Sequence, residues 1–304
     1  MNSRFPRLPD SSQAAHGDLL PVSVTVTAQA SSRVHIIRTA ADGGSEATED
    51  TVATEEPLEI RVEGKPVAVV MRTPGADEEV TAGFLLTEGV IRSRKDIFEI
   101  SHCPSVSAGS KGNVIDVLLV RAEPADLKRL TRHVFTASSC GICGKGSIEA
   151  VHQRFAPLRS VEARVQARTI AGLAETIADG QEVFNATGGL HAAALFAIDG
   201  TLLGLREDVG RHNAVDKVLG RSLLDGSLPL EAHVLFVSGR VSFEIMQKAL
   251  AARIPIVAGI SAPTSLAIDF ARESGQTLAG FVRNGSMNLY AGADRVIPPG
   301  EPQP

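Results

Sequence analysis

The stretch His233–Val282, HVLFVSGRVSFEIMQKALAARIPIVAGISAPTSLAIDFARESGQTLAGFV, decides the fold. It contains three short apolar runs, His233–Val237, Ile254–Ala258 and Leu278–Val282. Between them lie two segments of helical character, Ser242–Ala252 and Pro263–Glu273. Apolar runs this short, bounded by Gly, Ser and Pro, are what strands buried on both faces look like. Strand–helix–strand–helix–strand order places the strands parallel, with the helices packed on the sheet. The class is therefore α/β, with a largely parallel sheet expected and Leu278–Val282 as its last strand.

Working outward, Asn213–Leu224 reads as a helix with Val215, Val218 and Leu219 on one face. Ala193–Ile198 and Leu202–Glu207 read as strands around an Asp199-Gly200 turn. Thr169–Asp179 and Ile148–Phe155 read as helices. Further back, Leu58, Ile60 and Val62 alternate with charged residues, the mark of a half-buried strand. Gly64-Lys65 turns the chain into a second strand, Val67–Met71. Asp77–Thr87 reads as a helix with three carboxylates in its first turn, where they favour the helix dipole. Val114–Val120 is a strand and 124–135 a short helix. Residues 1–33 and the acidic 40–56 show little periodicity and read as leader and loop, with a short strand at Val34–Arg38. Three regions follow: a mostly disordered leader over 1–56, an α+β domain over 57–138 and an α/β domain over 139–304.

Composition narrows the function. The chain has 304 residues, 43% hydrophobic and 21% charged, ample for a buried core. It carries 30 basic against 35 acidic residues. That balance excludes a protein built to neutralise nucleic-acid phosphates. Aromatics are 4%, with no Trp and one Tyr, so stacking platforms for single strands are scarce. No apolar run approaches the roughly 18 residues of a membrane span. No secretory signal is visible at the N-terminus, so a cytoplasmic setting is expected.

Three cysteines, Cys103, Cys140 and Cys143, do not make a disulfide framework. Cys140 and Cys143 stand in Ser138-Ser139-Cys140-Gly141-Ile142-Cys143-Gly144-Lys145-Gly146. Two thiols amid three glycines suit an exposed, mobile loop. Lys145 and the N-terminus of the helix expected at 148 both favour the thiolate, the nucleophilic form. The chemistry this suits is acceptance and passing of a sulfur atom. Structural zinc is an alternative, but the pair supplies two of four ligands. A thioredoxin-like redox pair is another, though these cysteines do not follow the first strand of a βαβ unit. Cys103 carries no motif.

The strand-to-helix junctions are the other candidates. Arg206–Asn213 (REDVGRHN) is strongly polar at a strand end, where ligands bind in open α/β sheets. Ser238-Gly239-Arg240 and Gly259–Thr264 each put Gly and hydroxyl groups at a helix start, where N–H groups can hold phosphate. Each also reads as a plain turn with an ordinary N-cap. Asn185–His191 and Gly280–Ser286 are two further Gly-rich segments at strand ends, and either also reads as a simple turn. Three junctions feeding one edge point to a phosphate-bearing ligand, with Arg211, Arg240 and Arg283 as charge partners.

Together, SSCGICGK (138–145), ATGGLHAAALF (186–196), REDVGRHNAVDK (206–217), SGRVSFEIMQK (238–248), AGISAPTSLAI (258–268) and MRTPGADEEVTAGFLLTEG (71–89) resemble the formate dehydrogenase accessory sulfurtransferase family, the FdhD/NarQ type. The resemblance implies a cytidine deaminase-like three-layer α/β domain with a smaller N-terminal α+β domain. It implies a sulfur carrier that takes persulfide sulfur from a cysteine desulfurase and passes it to the molybdenum cofactor, bis(molybdopterin guanine dinucleotide), for formate dehydrogenase. By the same resemblance Cys140 bears the persulfide and Cys143 completes the pair. The cofactor-binding set is then Phe281, Val282, Arg283, Asn284, Gly285 and Ser286, joined by Arg211, His212, Ser238, Gly239, Arg240 and Ser261. A homodimer is implied, with no resident metal. The deaminase ligand pattern is absent: there is no H-x-E, and Ser139 rather than Pro precedes Cys140. A chaperone that holds the cofactor without covalent sulfur transfer is the alternative.

Overall fold

The computed structural model describes residues 30–104, 112–121, 155–158 and 161–301. The thiol loop, the helix expected over 124–135, nearly all of that expected over 148–155 and the domain boundary at 138/139 lie outside the described residues. In chain order the elements are strands β1 (Ser31–Thr39), β2 (Ser45–Ala53), β3 (Glu56–Val62) and β4 (Lys65–Arg72), then helix α1 (Asp77–Thr87). Strands β5 (Ile97–His102), β6 (Val114–Leu119) and β7 (Val165–Gln166) precede helices α2 (Ala167–Ala178) and α3 (Glu182–Thr187). Next come β8 (His191–Ala197), β9 (Leu202–Asp208), α4 (Arg211–Leu224), β10 (His233–Val237), α5 (Phe243–Ala251), β11 (Ile256–Gly259) and α6 (Ser265–Ser274). Strands β12 (Thr277–Arg283), β13 (Ser286–Ala291) and β14 (Val296–Ile297) close the described chain.

The main sheet has the order β13-β12-β11-β10-β8-β9. Its inner faces follow the strand period of two. On β10, Leu235 and Val237 pack with the α4–α6 side, where Val215, Met246, Leu250 and Phe270 are buried. Val234 and Phe236 turn the other way, onto Ile170, Leu173 and Ile177 of α2. Phe236 meets Phe196 edge-on, 6.4 Å between centroids. Burial on both faces explains the unbroken run HVLFV, and the result is a three-layer α/β/α arrangement.

The sheet is less parallel than its pattern suggests. Only β10, β11 and β12 run parallel; β8, β9 and β13 are antiparallel to their neighbours. The cause is local. Asp199-Gly200 joins β8 to β9, and Asn284-Gly285 joins β12 to β13, both central residues having positive φ (53° and 68°). Such Asn-Gly turns force an antiparallel return. Leu278–Val282 is accordingly not the last strand.

A four-stranded sheet, β4-β3-β6-β5, forms the N-terminal α+β part, with Leu58, Ile60, Val62, Ile115 and Val117 buried beneath α1. The two sheets share one continuous core because α1 lies directly on α4. The contact is made by glycine. A Cβ on Gly220 would stand 1.8 Å from the Glu79 carbonyl oxygen, and one on Gly83 1.9 Å from that of Asp216. Backbone cannot yield as a side-chain tip can. Gly220→Ala is therefore expected to cost about 3 kcal/mol or more, the upper end of overpacking penalties. Urea unfolding checks this, and a loss below about 1 kcal/mol would mean the helices separate freely.

The strand expected at Val34–Arg38 lies within β1, but the loop expected over 40–56 needs correction. Residues 31–53 form the β1–β2 hairpin, paired from Ser31↔Ala53 to Thr39↔Ser45. Most of its side chains are exposed on both faces, and its cross-strand pairs include Arg38–Glu46 and His35–Glu49. A strand with no buried face lacks the alternation that would reveal it. Only its base is anchored, Ala30 and Ala53 packing against Val183 and Leu190.

Candidate functional site

The carboxyl ends of β10, β11 and β12 meet the start of β8 along one edge of the main sheet. The loops leaving these strands are stitched together. Ile260 N–H donates to the Val237 carbonyl, Phe281 N–H to that of Ser261 and Thr264 N–H to that of Val241. Residues 238–242, 259–264 and 281–286 thus share one edge, as their positions in the sequence imply. Of the three helices starting here, only α6 is side-chain capped, by Thr264 accepting from Ala267 N–H. Gly210 and Ser242 precede α4 and α5 without a side-chain cap. First-turn N–H groups with no capping side chain are suited to an anion.

Four basic side chains gather at this edge: His191, Arg211, His212 and Arg240. Gly239 lets two of them close up: a Cβ there would stand 3.3 Å from His191 Nδ1 and 3.7 Å from Arg211 Cδ. Burial, then the charges of Arg211, His212 and Arg240, lower the pKa of His191 and favour its neutral form. Arg211 Nε is buried without a hydrogen-bond partner. His212 Nε2 lies 2.8 Å from Glu244 Oε2 and 3.4 Å from Ser242 Oγ. Burial pushes the Glu244 carboxyl upward, but the hydrogen bond and charge of His212, with Lys248 and Arg211, outweigh it and leave it below the usual range. Beside His191 opens a pocket of about 460 Å³ lined by Gln181, Phe184, Gly189, Ser238 and Ile260.

The segment 281–286 is the tip of the β12–β13 hairpin. Val282 is fully buried, while Arg283, Asn284 and Ser286 are exposed. Phe281 has φ 53°, a left-handed conformation that a bulky residue rarely adopts, at a break in strand register. The Arg283 guanidinium sits 5.6 Å above the Phe281 ring. Ser238 is partly structural: its Oγ accepts from Ala192 N–H at 2.8 Å.

Most of REDVGRHN is structural rather than ligand-facing. Arg206 clamps Glu79 of α1 with bonds of 2.5 and 2.8 Å. Glu207 accepts from the N–H groups of Val183 and Phe184. Asp208 is wholly buried and meets Lys217 Nζ at 2.7 Å. It also accepts from Thr73 N–H, Gly210 N–H and Asn213 Nδ2. Asn213 donates as well to the Met71 carbonyl at 2.7 Å. Asp216, likewise buried, holds Lys248 and Thr87. The MRTPGADEE and REDVGRHN segments are therefore two halves of one polar interface, and only Arg211 and His212 are left to the edge. Glu244 is the site neighbour that sequence reasoning missed; its signal was a carboxylate in the first turn of a helix that starts at the edge.

Cys103 is free and half-buried, its N–H bonded to the Val114 carbonyl. Among the described residues no helix is long and apolar enough to cross a membrane.

The FdhD/NarQ family model matches residues 53–297. A Streptomyces coelicolor protein named sulfur carrier protein FdhD is 50% identical over 259 residues, 84% of this chain and 92% of its own. A Mycolicibacterium paratuberculosis protein of the same name is 51% identical over 260 residues, 84% of this chain and 94% of its own. The crystal structure of a putative formate dehydrogenase accessory protein from Desulfotalea psychrophila superposes with a TM-score of 0.69 at 25% identity, covering 88% of this chain and 99% of that one. With the motifs, the three-layer architecture and the matched span all in agreement, the chain belongs to the FdhD/NarQ family.

Proposed function

We propose that this chain is a sulfur carrier for formate dehydrogenase, moving persulfide sulfur from a cysteine desulfurase to the molybdenum cofactor, bis(molybdopterin guanine dinucleotide). The observation that carries the reading is family membership at about half identity to named sulfur carriers, with the thiol pair Cys140 and Cys143 inside the matched span. Cys140 thiolate attacks the terminal sulfur of the donor persulfide. The donor S–S bond breaks, its electron pair leaves with the donor thiolate, and Cys140 becomes the persulfide with no net oxidation. At the cargo, Cys143 thiolate attacks Cys140 Sγ. The terminal sulfur leaves with the bonding pair as sulfide and becomes a ligand of the metal. The two thiols supply the two electrons and end as a disulfide, which an external thiol reduces before the next cycle.

The basic edge serves the cargo. Arg211, Arg240 and Arg283 pair with its phosphates, the first-turn N–H groups of α4 and α5 add neutral donors, and His212, Ser238, Gly239 and Ser261 shape the groove. Phe281, Asn284, Gly285 and Ser286 form its outer wall, whereas Val282 points into the core behind them and meets no cargo. The setting is the cytoplasm, as a homodimer.

The test is intact-protein mass spectrometry under non-reducing conditions, after incubation with an active desulfurase and cysteine. A gain of about 32 Da that reductant reverses is expected. An unmodified chain beside an active desulfurase would overturn carriage and leave cargo holding without covalent sulfur.

A further inference from the structure

Glu244 has no assigned task, yet it stands against His212 at the edge. Its side chain is 11% exposed, Oε2 sits 2.8 Å from His212 Nε2, and Oε1 is buried with no hydrogen-bond partner. A carboxylate held ionised can only accept, so at this distance Nε2 must carry the proton. Ser242 Oγ, 3.4 Å from the same nitrogen, anchors the ring from the same helix start. Nδ1 is then the ring nitrogen left to meet a ligand. The arrangement parallels the carboxylate that fixes an imidazole tautomer in acid–base and metal sites.

We infer that Glu244 is a positioning residue: it fixes His212 with Nε2–H toward α5, so that Nδ1 takes up a proton and donates it when an anionic group of the cargo arrives. The inference rests on the anion-holding reading of the edge. The physical basis is a charge sandwich. An incoming phosphate on one side and the Glu244 carboxylate on the other both favour the imidazolium, whereas the phosphate alone would face a ring of either tautomer. The neighbouring charges are Arg211 beside His212 on α4, Lys248 one turn along α5 with its partner Asp216, and His191 with Arg240 across the edge.

Two measurements test this in the full chain. Nitrogen-15 NMR of the ligand-free protein should find His212 Nε2 protonated from mildly acid to mildly alkaline pH. Glu244→Gln, whose amide can donate as well as accept, should give a mixture with part of the proton on Nδ1; Glu244→Asp should restore the Nε2–H form. A wild-type proton on Nδ1, or identical spectra in wild type and E244Q, overturns the inference. Calorimetry with pyrophosphate in buffers of different ionisation enthalpy then counts protons taken up. Uptake in wild type that is lost in E244Q and kept in His191→Asn is expected. Uptake kept in E244Q but lost in H191N assigns it to His191 and overturns the proposal. Absence of pyrophosphate binding in wild type, with the Nε2–H form intact, counts against the anion-holding reading and leaves the positioning of His212 standing.

Discussion

Cys140→Ala is expected to abolish sulfur delivery to formate dehydrogenase while the variant still retains the molybdenum cofactor. The two tasks fall on different parts of the chain in the proposed mechanism. Carriage needs a thiolate that can form and lose an S–S bond, and alanine offers no such atom. Holding the cargo needs the arginines and the N–H groups at the sheet edge, which the substitution does not touch. Cys143→Ala separates the steps further: it should still load sulfur on Cys140 but fail to discharge it as sulfide, for want of the second thiolate. The assay is a reconstitution with desulfurase, cysteine and immature formate dehydrogenase, read as formate oxidation, alongside molybdenum content of the isolated carrier. Parallel loss of both readouts in C140A would contradict the separation of tasks. Full delivery by C140A would move the carrier role to Cys143.

Asp208→Ala is expected to destabilise the fold by about 3–5 kcal/mol, the range for removing one partner of a buried ion pair. Asp208 is fully buried and Lys217 is 3% exposed, 2.7 Å apart. Both carboxylate oxygens are in use, holding Thr73, Gly210 and Asn213 as well. Alanine would leave the Lys217 ammonium buried with only the Thr73 and Glu207 carbonyls as partners, and would strand two backbone N–H groups. The same change frees Gly210 and the start of α4, which carries Arg211 and His212, so pyrophosphate binding should weaken in the fraction that stays folded. Urea denaturation with and without the paired Lys217→Met change measures it. The double variant should recover part of the loss, since it removes the orphaned charge. A single-variant loss below about 1 kcal/mol would mean that water reaches the pair.

Much of the architecture was legible because it follows from period and boundary. The strand at His233–Val237 and the helix at Asp77–Thr87 are found as read, and the helices between the parallel strands agree to within two residues. These are elements whose burial pattern is strong on one stripe or on both faces. The second arm of the hairpin, β2, strand β5 and strand β13 were missed for the opposite reason, and only Val34–Arg38 of β1 was read. Each shows half or more of its side chains to solvent, so hydrophobic alternation carries little information there. The Asn284-Gly285 turn was the signal available for β13.

The candidate site divides along a different line. The amino-acid sequence by itself determined the chemistry on offer: two thiols three apart amid glycines, a chain with no basic excess, arginines and glycines at strand ends, and the motif order of a family. Residue type and spacing suffice for that, because nucleophilicity and charge belong to the side chain. Only the tertiary structure decided which polar residues are spent on the fold. Arg206, Glu207, Asp208, Asn213 and Asp216 share one motif with Arg211 and His212, yet the first five are consumed by α1, α3, α5, β4 and the turn at Thr73. Partners 100 or more residues away in the chain use up several of them, and no local pattern reports such a partner. The pairing of His212 with Glu244 arises the same way, from two helices that begin side by side at one sheet edge.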